Sequence, residues 1–134
     1  MQNAKKMTLD QIKKTDQEWR DAEDELPIHE ELLSNACAEE INKLIKANPS
    51  IVEVFVTDNQ GANVGQNDLT SDYWQGDEAK WKNSFNKGKG GLDVGKVKFD
   101  KSANTSLQQI SLPITDGEQV IGAITIGINI SKLK

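Results

Sequence analysis

The chain has 134 residues, a formal net charge of −5 and a sequence pI near 4.9, and its length fits one domain with a hydrophobic core of its own. Lysines alternate with acidic residues along the sequence, so no clustered positive surface for phosphates is indicated and we expect no nucleic-acid partner. An acidic protein also has no general attraction to anionic lipid.

The first predicted element is a charged amphipathic helix over residues 8–25. Thr8, followed three residues later by Gln11, is typical of a capping box. Apolar residues recur at heptad-like spacing: Leu9, Ile12, Trp19 and Leu26. One charged helix cannot bury all of them, so we expect helix 8–25 to carry any homodimer contact.

A second helix is predicted over residues 28–47. Pro27 ends the first helix and suits the first turn of the next one. Apolar side chains share one face of it: Leu33, Cys37, Ile41 and Leu44. Cys37 is the single cysteine, so no internal disulfide is possible. Its place on the apolar face favours a buried, inert thiol.

Beyond Pro49 the apolar period changes from 3.6 to 2, which predicts strands. The predicted strands are IVEVFVTD (51–58), ANVGQND (62–68), LDVGKVKFD (92–100), LQQISLPIT (107–115) and VIGAITIGINI (120–130). A short helix is predicted over 77–86, followed by the connector KGKGG. Because the turns DNQG and DGEQ predict hairpins, we expect an α+β fold with a five-stranded antiparallel sheet and helices packed on it.

Four features give only weak indications of chemistry. DNQGAN (58–63) lacks the Glu that a calcium loop requires, and the GKGG of the connector lacks the ending of a phosphate-binding loop. His29 is the only histidine and has no nucleophile motif beside it. Asp77 and Glu78 point about 100° apart on a helix, which suits a charged first turn better than an acid/base pair. We therefore expect no catalytic residue, metal or cofactor, and no enzymatic activity.

The segment TSDYWQGDEAKW (70–81) concentrates aromatic residues. It contains the only tyrosine, Tyr73, and two of the three tryptophans, Trp74 and Trp81. These rings either cap the core over the sheet or form a lid over a small pocket, since amphipathic rings exclude water and still bond a polar ligand.

Strand alternation separates two faces of the sheet. Large aliphatic residues share one face of the last two strands: Ile110, Leu112, Ile114, Val120, Ile124, Ile126 and Ile128. We expect this face to pack on the N-terminal helices. The other face is small and partly polar, and its Ser111 and Thr125 either form the floor of a pocket or face solvent.

The stretch NPSIVEVFVTDNQGANVGQNDLTSDYWQGDEAKWKNSF, with FDKSANTSLQQISLPITDGEQVIGAITIGINIS after it, resembles the single Cache domains, PAS-like extracytoplasmic sensor domains. The resemblance covers residues 48–131 as the sensor core of one domain spanning 1–134, and helices 8–47 fit the family's N-terminal helix. It implies helices on one face of the sheet and a ligand pocket on the other. The ligand-binding residues it implies are Tyr73, Trp74, Gln75, Lys80, Trp81, Ser111 and Thr125.

Pockets of this family commonly take small carboxylates, amino acids or amines. A carboxylate requires hydrogen-bond donors, and Lys80 is the nearest base, ahead of Lys96 and Lys98. We favour a carboxylate of two to four carbons, such as pyruvate, lactate or acetate. Asp72 and Asp77 are acidic, so an amino acid or amine remains an alternative ligand. The remaining alternative is an interaction module with a vestigial pocket.

Cellular location is left open by composition. No apolar run reaches the roughly 18–20 residues that span a bilayer, so the chain is either cytosolic or a mature or excised extracytoplasmic piece. The resemblance implies the periplasmic or extracellular side of a bacterial membrane and a role in signal transduction or chemotaxis. Because the sequence ends in NISKLK, we expect either a domain excised from a membrane receptor or a free-standing periplasmic relative.

Overall fold

A computed structural model describes residues 8–70, 72–100 and 105–132. The helices are α1 (Leu9–Asp21), α2 (Pro27–Ser34), α3 (Ala36–Ala47) and α4 (Ala79–Phe85). The strands are β1 (Ile51–Asp58), β2 (Asn63–Gln66), β3 (Asp93–Val94), β4 (Lys98–Asp100), β5 (Thr105–Asp116) and β6 (Gln119–Asn129). None of the helices in these ranges combines the length and apolar character that crossing a bilayer demands.

All strand pairs are antiparallel, in the order β2-β1-β6-β5-β3, with β4 also paired to β5. The predicted α+β fold with an antiparallel sheet is confirmed. The sheet has six strands instead of five because the predicted strand 92–100 forms as two short strands. Between them, the backbone N–H of Gly95 donates to the carbonyl of Gln109 over 2.8 Å.

The helices differ from the predicted ones at two places. The capping box of Thr8 and Gln11 forms as expected, but α1 ends at Asp21 because Ala22 is extended. The predicted helix 28–47 forms as two helices that meet at Asn35. The Asn35 side chain accepts the N–H of Ala38 over 2.9 Å and donates to the carbonyl of Val64 over 2.7 Å. Asn35 thus caps α3 and ties it to β2.

The apolar face of α1 is buried within its own subunit. Ile12 and Trp19 are 0% and 6% exposed and pack with Leu32, Ala62 and Tyr73. The expected homodimer contact through residues 8–25 rested on four side chains, and the fold buries two of them, Ile12 and Trp19, without a partner. Leu9 alone in that stripe ranks among the exposed large apolar residues of the described chain, at 39%.

The N-terminal helices cover the aliphatic face of β5 and β6 only in part, because α3 packs mainly on β1 and β2. Leu112 is 39% exposed, and the isoleucines of this face are half-buried: Ile110, Ile114, Ile124, Ile126 and Ile128. The register shift between Ile114 and Thr115 turns Val120 to the other face, where it lies with Pro113 near Gly90.

Cys37 and Leu44 of α3 line a groove with Val56, Ile114 and Ile124 of the strands. Cys37 is half-buried rather than buried as expected, and this partial burial raises the pKa of its thiol. The helix α4 lies on the opposite face of the sheet, where the polar row of β5 and β6 points.

Candidate functional site

A cavity of about 570 Å³ lies on the sheet face opposite α3, within the size range of small-molecule sites. Residues of α4 and of three strands of the sheet, with the loop between β3 and β4, line this cavity. Those residues are Glu53 of β1, Lys80 of α4, Leu107 and Gln109 of β5, and Gly95, Lys96, Lys98 and Phe99 around β3 and β4.

Two smaller cavities adjoin this one. The first, of about 250 Å³, shares Glu53, Lys80 and Gln109 and adds Gln75 and Glu78. The second, of about 340 Å³, again includes Glu53. Glu53 therefore lies where all three cavities meet.

The large cavity is lined by charges of both signs. Lys80, Lys96 and Lys98 face the same space as Glu53. Within the part of the chain that the structure describes, no ion pair joins any of these lysines to an acid. Lys80 instead lies with its Nζ 5.5 Å from the centre of the Phe55 ring. Cationic donors are thus left for an anionic ligand.

Glu53 is held in a row that crosses three strands. It is paired with Gly127 of β6, and Gly127 is paired with Gln109 of β5. The Nε2 of Gln109 donates to the Oε2 of Glu53 over 3.2 Å. A Cβ at position 127 would stand 3.0 Å from both the Cβ and Oε2 of Glu53. Glycine at 127 therefore leaves the space in which the Glu53 side chain lies along the sheet.

The aromatic residues of 70–81 anchor their segment to the rest of the fold. Tyr73 is fully buried, with its ring centre 5.8 Å from that of Trp19. The indole N–H of Trp74 donates to the carbonyl of Gln60 over 2.8 Å. The indole N–H of Trp81 donates to the carbonyl of Asp58 over 3.1 Å. The described linings of the 570, 250 and 340 Å³ cavities do not include these three residues, and their contact with a ligand stays a prediction.

The same segment brings two of the predicted site residues to the cavities. Lys80 lines the two cavities of 570 and 250 Å³, and Gln75 lines the smaller of them. The backbone N–H of Gln75 donates to the carbonyl of Gly61 over 2.7 Å, and its Nε2 donates to the carbonyl and the carboxylate of Asp72. These bonds to Gly61 and Asp72 hold Gln75 in place at the cavity wall.

Ser111 and Thr125 face each other across β5 and β6. Their hydroxyl oxygens are 2.7 Å apart, and the residues are 0% and 4% exposed. The solvent-facing alternative is thus wrong for both. Each hydroxyl is bonded to the other beneath α4, and a role as the pocket floor stays a prediction.

Asp72, Asp77 and Glu78 form an acidic cluster next to the 250 Å³ cavity. One carboxylate oxygen of each lies within 4.8 Å of the others. Burial raises the pKa of Asp72, and the nearby charges of Asp16, Glu78 and Asp77 raise it further. The cluster makes this end of the cavities acidic, whereas the end near β4 is basic.

Sequence reasoning missed Glu53 and Gln109 as cavity residues. A signal was present for Glu53, which is the one charged residue inside the valine-rich stretch IVEVFV. A charge at the centre of a strand that is buried on one face indicates that the other face carries a polar function. Gln109 carries no comparable signal, because its place beside Glu53 depends on the pairing of β5 and β1 through β6.

Comparison with solved structures finds proteins that are similar to this chain in fold. The ligand-binding domain of the amino acid chemoreceptor PctC of Pseudomonas aeruginosa PAO1, in complex with GABA, superposes with a TM-score of 0.57 at 12% identity, over 91% of this chain and 51% of that one. The sensor domain of the Vibrio cholerae histidine kinase DctB matches with a TM-score of 0.47 at 14% identity, over 90% of this chain and 48% of that one. The sensory domain of the Campylobacter jejuni chemoreceptor Tlp3 with isoleucine bound matches with a TM-score of 0.48 at 12% identity, over 96% of this chain and 53% of that one.

At these identities only the fold is shared, and the PctC superposition is the one that shows it. The Cache-like sensor fold expected from the sequence is confirmed. The chain spans about half the length of the sensor domains it matches. No family model matches the chain, and no curated protein matches it in sequence.

Proposed function

We propose that this domain is a sensory module that binds a small carboxylate-bearing molecule in the 570 Å³ cavity. The observation that carries the proposal is the presence of Lys80, Lys96 and Lys98 in one lining, with no acidic partner for any of them in the described residues. Charge-assisted bonds from lysines are a strong means of holding a carboxylate.

A small carboxylate such as pyruvate, lactate or acetate fits this site. A ligand of about six heavy atoms can reach at best about −1.5 kcal/mol per atom, so micromolar binding near −8 kcal/mol lies within the bound. An amino acid is the second candidate. Glu53 and Glu78 line the cavities beside Lys80, and the fold is shared with a domain that holds GABA.

The predicted site residues divide into three proposed roles. Lys80 contacts the ligand in the 570 Å³ cavity, and Gln75 contacts a ligand that extends into the adjoining 250 Å³ cavity. Tyr73, Trp74 and Trp81 hold the wall from behind through packing and their bonds to backbone carbonyls. Ser111 and Thr125 brace the sheet under α4.

We propose further that residues 1–134 act as one sensor domain without catalytic activity, on the periplasmic or extracellular side of a bacterial membrane. The support is the fold shared with a chemoreceptor ligand-binding domain. The output would be signal transduction or chemotaxis, with the domain either free-standing or part of a membrane receptor. Self-association through α1 would have to use Leu9, the exposed apolar side chain of that helix.

A thermal-shift screen of small carboxylates and amino acids tests the proposal. A ligand at about 100 times its dissociation constant adds roughly 2.7 kcal/mol to the free energy of unfolding, which raises the melting temperature of a domain of this size by several degrees. At least one compound should produce this rise and give heat in calorimetry. If none does, the domain is not a receptor for this class of ligand.

A further inference from the structure

We infer that Glu53 is the specificity-determining residue of the cavity and that it recognises a protonated amine, so that the ligand is an amino acid rather than a plain carboxylate. The inference rests on the proposed function and adds to it a ligand class and a residue that selects it.

The first observation is the position of Glu53. It lies on β1, between β2 and β6 inside the sheet, and it is the residue shared by the cavities of 570, 250 and 340 Å³. A ligand that occupies the large cavity and extends toward either neighbouring cavity passes its carboxylate. Gly127 leaves the room in which this side chain lies.

The second observation is the incomplete bonding of Glu53. Its Oε2 accepts from Gln109, and its Oε1 has no hydrogen-bond partner among the described residues. No lysine or arginine in the described ranges lies within 4.0 Å of it as an ion-pair partner. A half-buried carboxylate that a ligand covers requires a donor from that ligand, because desolvating an unpaired charge is costly.

The third observation is the placement of opposite charges in one lining. Lys80 borders both the 570 and the 250 Å³ cavities together with Glu53. A molecule with a carboxylate and an ammonium group can satisfy Lys80 and Glu53 at once. A plain carboxylate would satisfy the lysine and leave its own negative charge close to Glu53, which opposes binding.

Matched ligand pairs test the assignment in the intact chain. Calorimetry would compare GABA with butyrate, L-alanine with propionate, L-leucine with 4-methylpentanoate and L-glutamate with glutarate. The members of each pair differ in one amino group. For at least one pair we expect the amino member to bind at least about 10-fold more tightly, the gain that one charge-assisted hydrogen bond provides.

Glu53→Gln should remove that preference by weakening the amino member at least about 10-fold while leaving its partner unchanged or tighter. The isosteric amide still accepts from Gln109, so folding can be checked by the melt without ligand. Glu118→Gln is the charge-matched control, because Glu118 is exposed in the turn between β5 and β6, and it should keep the preference.

Three results separate the possible failures. If plain carboxylates bind and amino members do not bind more tightly, the proposed function stands and the role of Glu53 is wrong. If Glu53→Gln weakens both members of a pair equally, Glu53 only supports the cavity and the inference is likewise wrong. If no member of any pair binds, this inference is wrong, and the proposed function fails with it when pyruvate, lactate and acetate do not bind either.

Discussion

Asp16 and Tyr73 lie 57 positions apart in the sequence, and the carboxylate of Asp16 accepts the backbone N–H of Tyr73 over 3.0 Å. The same oxygen accepts the N–H of Trp74 over 3.0 Å, and Arg20 forms an ion pair with the other oxygen at 3.1 Å. One buried carboxylate of α1 thus fixes the start of the segment that carries Gln75 and Lys80 to the cavities.

We predict that Asp16→Ala lowers the free energy of unfolding by about 3 kcal/mol or more. The substitution removes two charge-assisted bonds and leaves two N–H groups without acceptors in a part-buried site. Urea denaturation measures the loss. Glu18→Ala is the matched control, since Glu18 is exposed on the same helix, and it should change stability by less than about 0.5 kcal/mol. Equal effects of the two substitutions would contradict the anchoring role of Asp16.

A second prediction concerns the close approach of Gly61 and Gly76. Gly61 has φ +88°, and a Cβ there would stand 2.5 Å from the Cα of Gly76. Gly117 has φ +63° and open space around its Cβ position. Gly61→Ala should therefore cost clearly more than Gly117→Ala, for which only the left-handed backbone penalty of roughly 1 kcal/mol applies. Thermal melts of the two variants decide it, and an equal cost would show that the two turns are not packed as described.

A third prediction follows from Asp58. Burial raises the pKa of its carboxyl above the ordinary 3.8, and the N–H groups of Gln60, Ala62 and Gly61 only partly offset this. The folded state then holds this proton more tightly than the unfolded state, so Asp58 lowers stability as pH rises from 3.8 through the raised pKa.

Asp58→Asn removes this titration and keeps an oxygen that can accept from the N–H groups of Gln60 and Ala62, which lie at 2.9 and 3.0 Å in the native protein. Relative to the native protein, the variant should gain stability between about pH 4 and about pH 7. Urea denaturation at both values measures the difference. If the free energy of unfolding of the variant instead falls relative to that of the native protein over this pH interval, the native protein requires the charged form of Asp58.

Local patterns predicted most of the fold. The strand 51–58 and the capping box at Thr8 form as expected because both depend on residues close in sequence. The break at Asn35 was missed because the Asn35 side chain ties the chain to Val64, a contact that arises only when α3 packs on β2. The splitting of 92–100 likewise depends on where Gly95 meets Gln109.

The candidate site was predictable in its location and less so in its residues. The composition of 70–81 drew attention to a segment whose Lys80 and Gln75 line the cavities, and their contact with a ligand stays a prediction. Aromatic composition does not reveal which partner an indole N–H finds, and Trp74 and Trp81 bond carbonyls of the turn that ends β1. Glu53 enters the site through the order of strands in the sheet, which no local pattern contains.

A fourth prediction separates the cavity lysine from its neighbour on α4. Lys80→Met should weaken the best carboxylate or amino acid from the screen at least about 10-fold, because the ligand loses a charge-assisted bond. Lys82→Met is the control, since Lys82 is exposed on the same helix and is not in the described linings. Calorimetry on both variants checks it. Equal affinities for the two would exclude Lys80 from the binding site.

The most direct test of ligand binding in this cavity is a nuclear magnetic resonance titration of the ¹⁵N-labelled protein with the best compound from the screen. We predict that the chemical-shift changes concentrate on the backbone amides of Glu53, Lys80, Gly95 and Gln109, which line the 570 Å³ cavity. Shifts concentrated instead on Cys37, Leu44 and Ile124, in the groove on the other face of the sheet, would contradict the account.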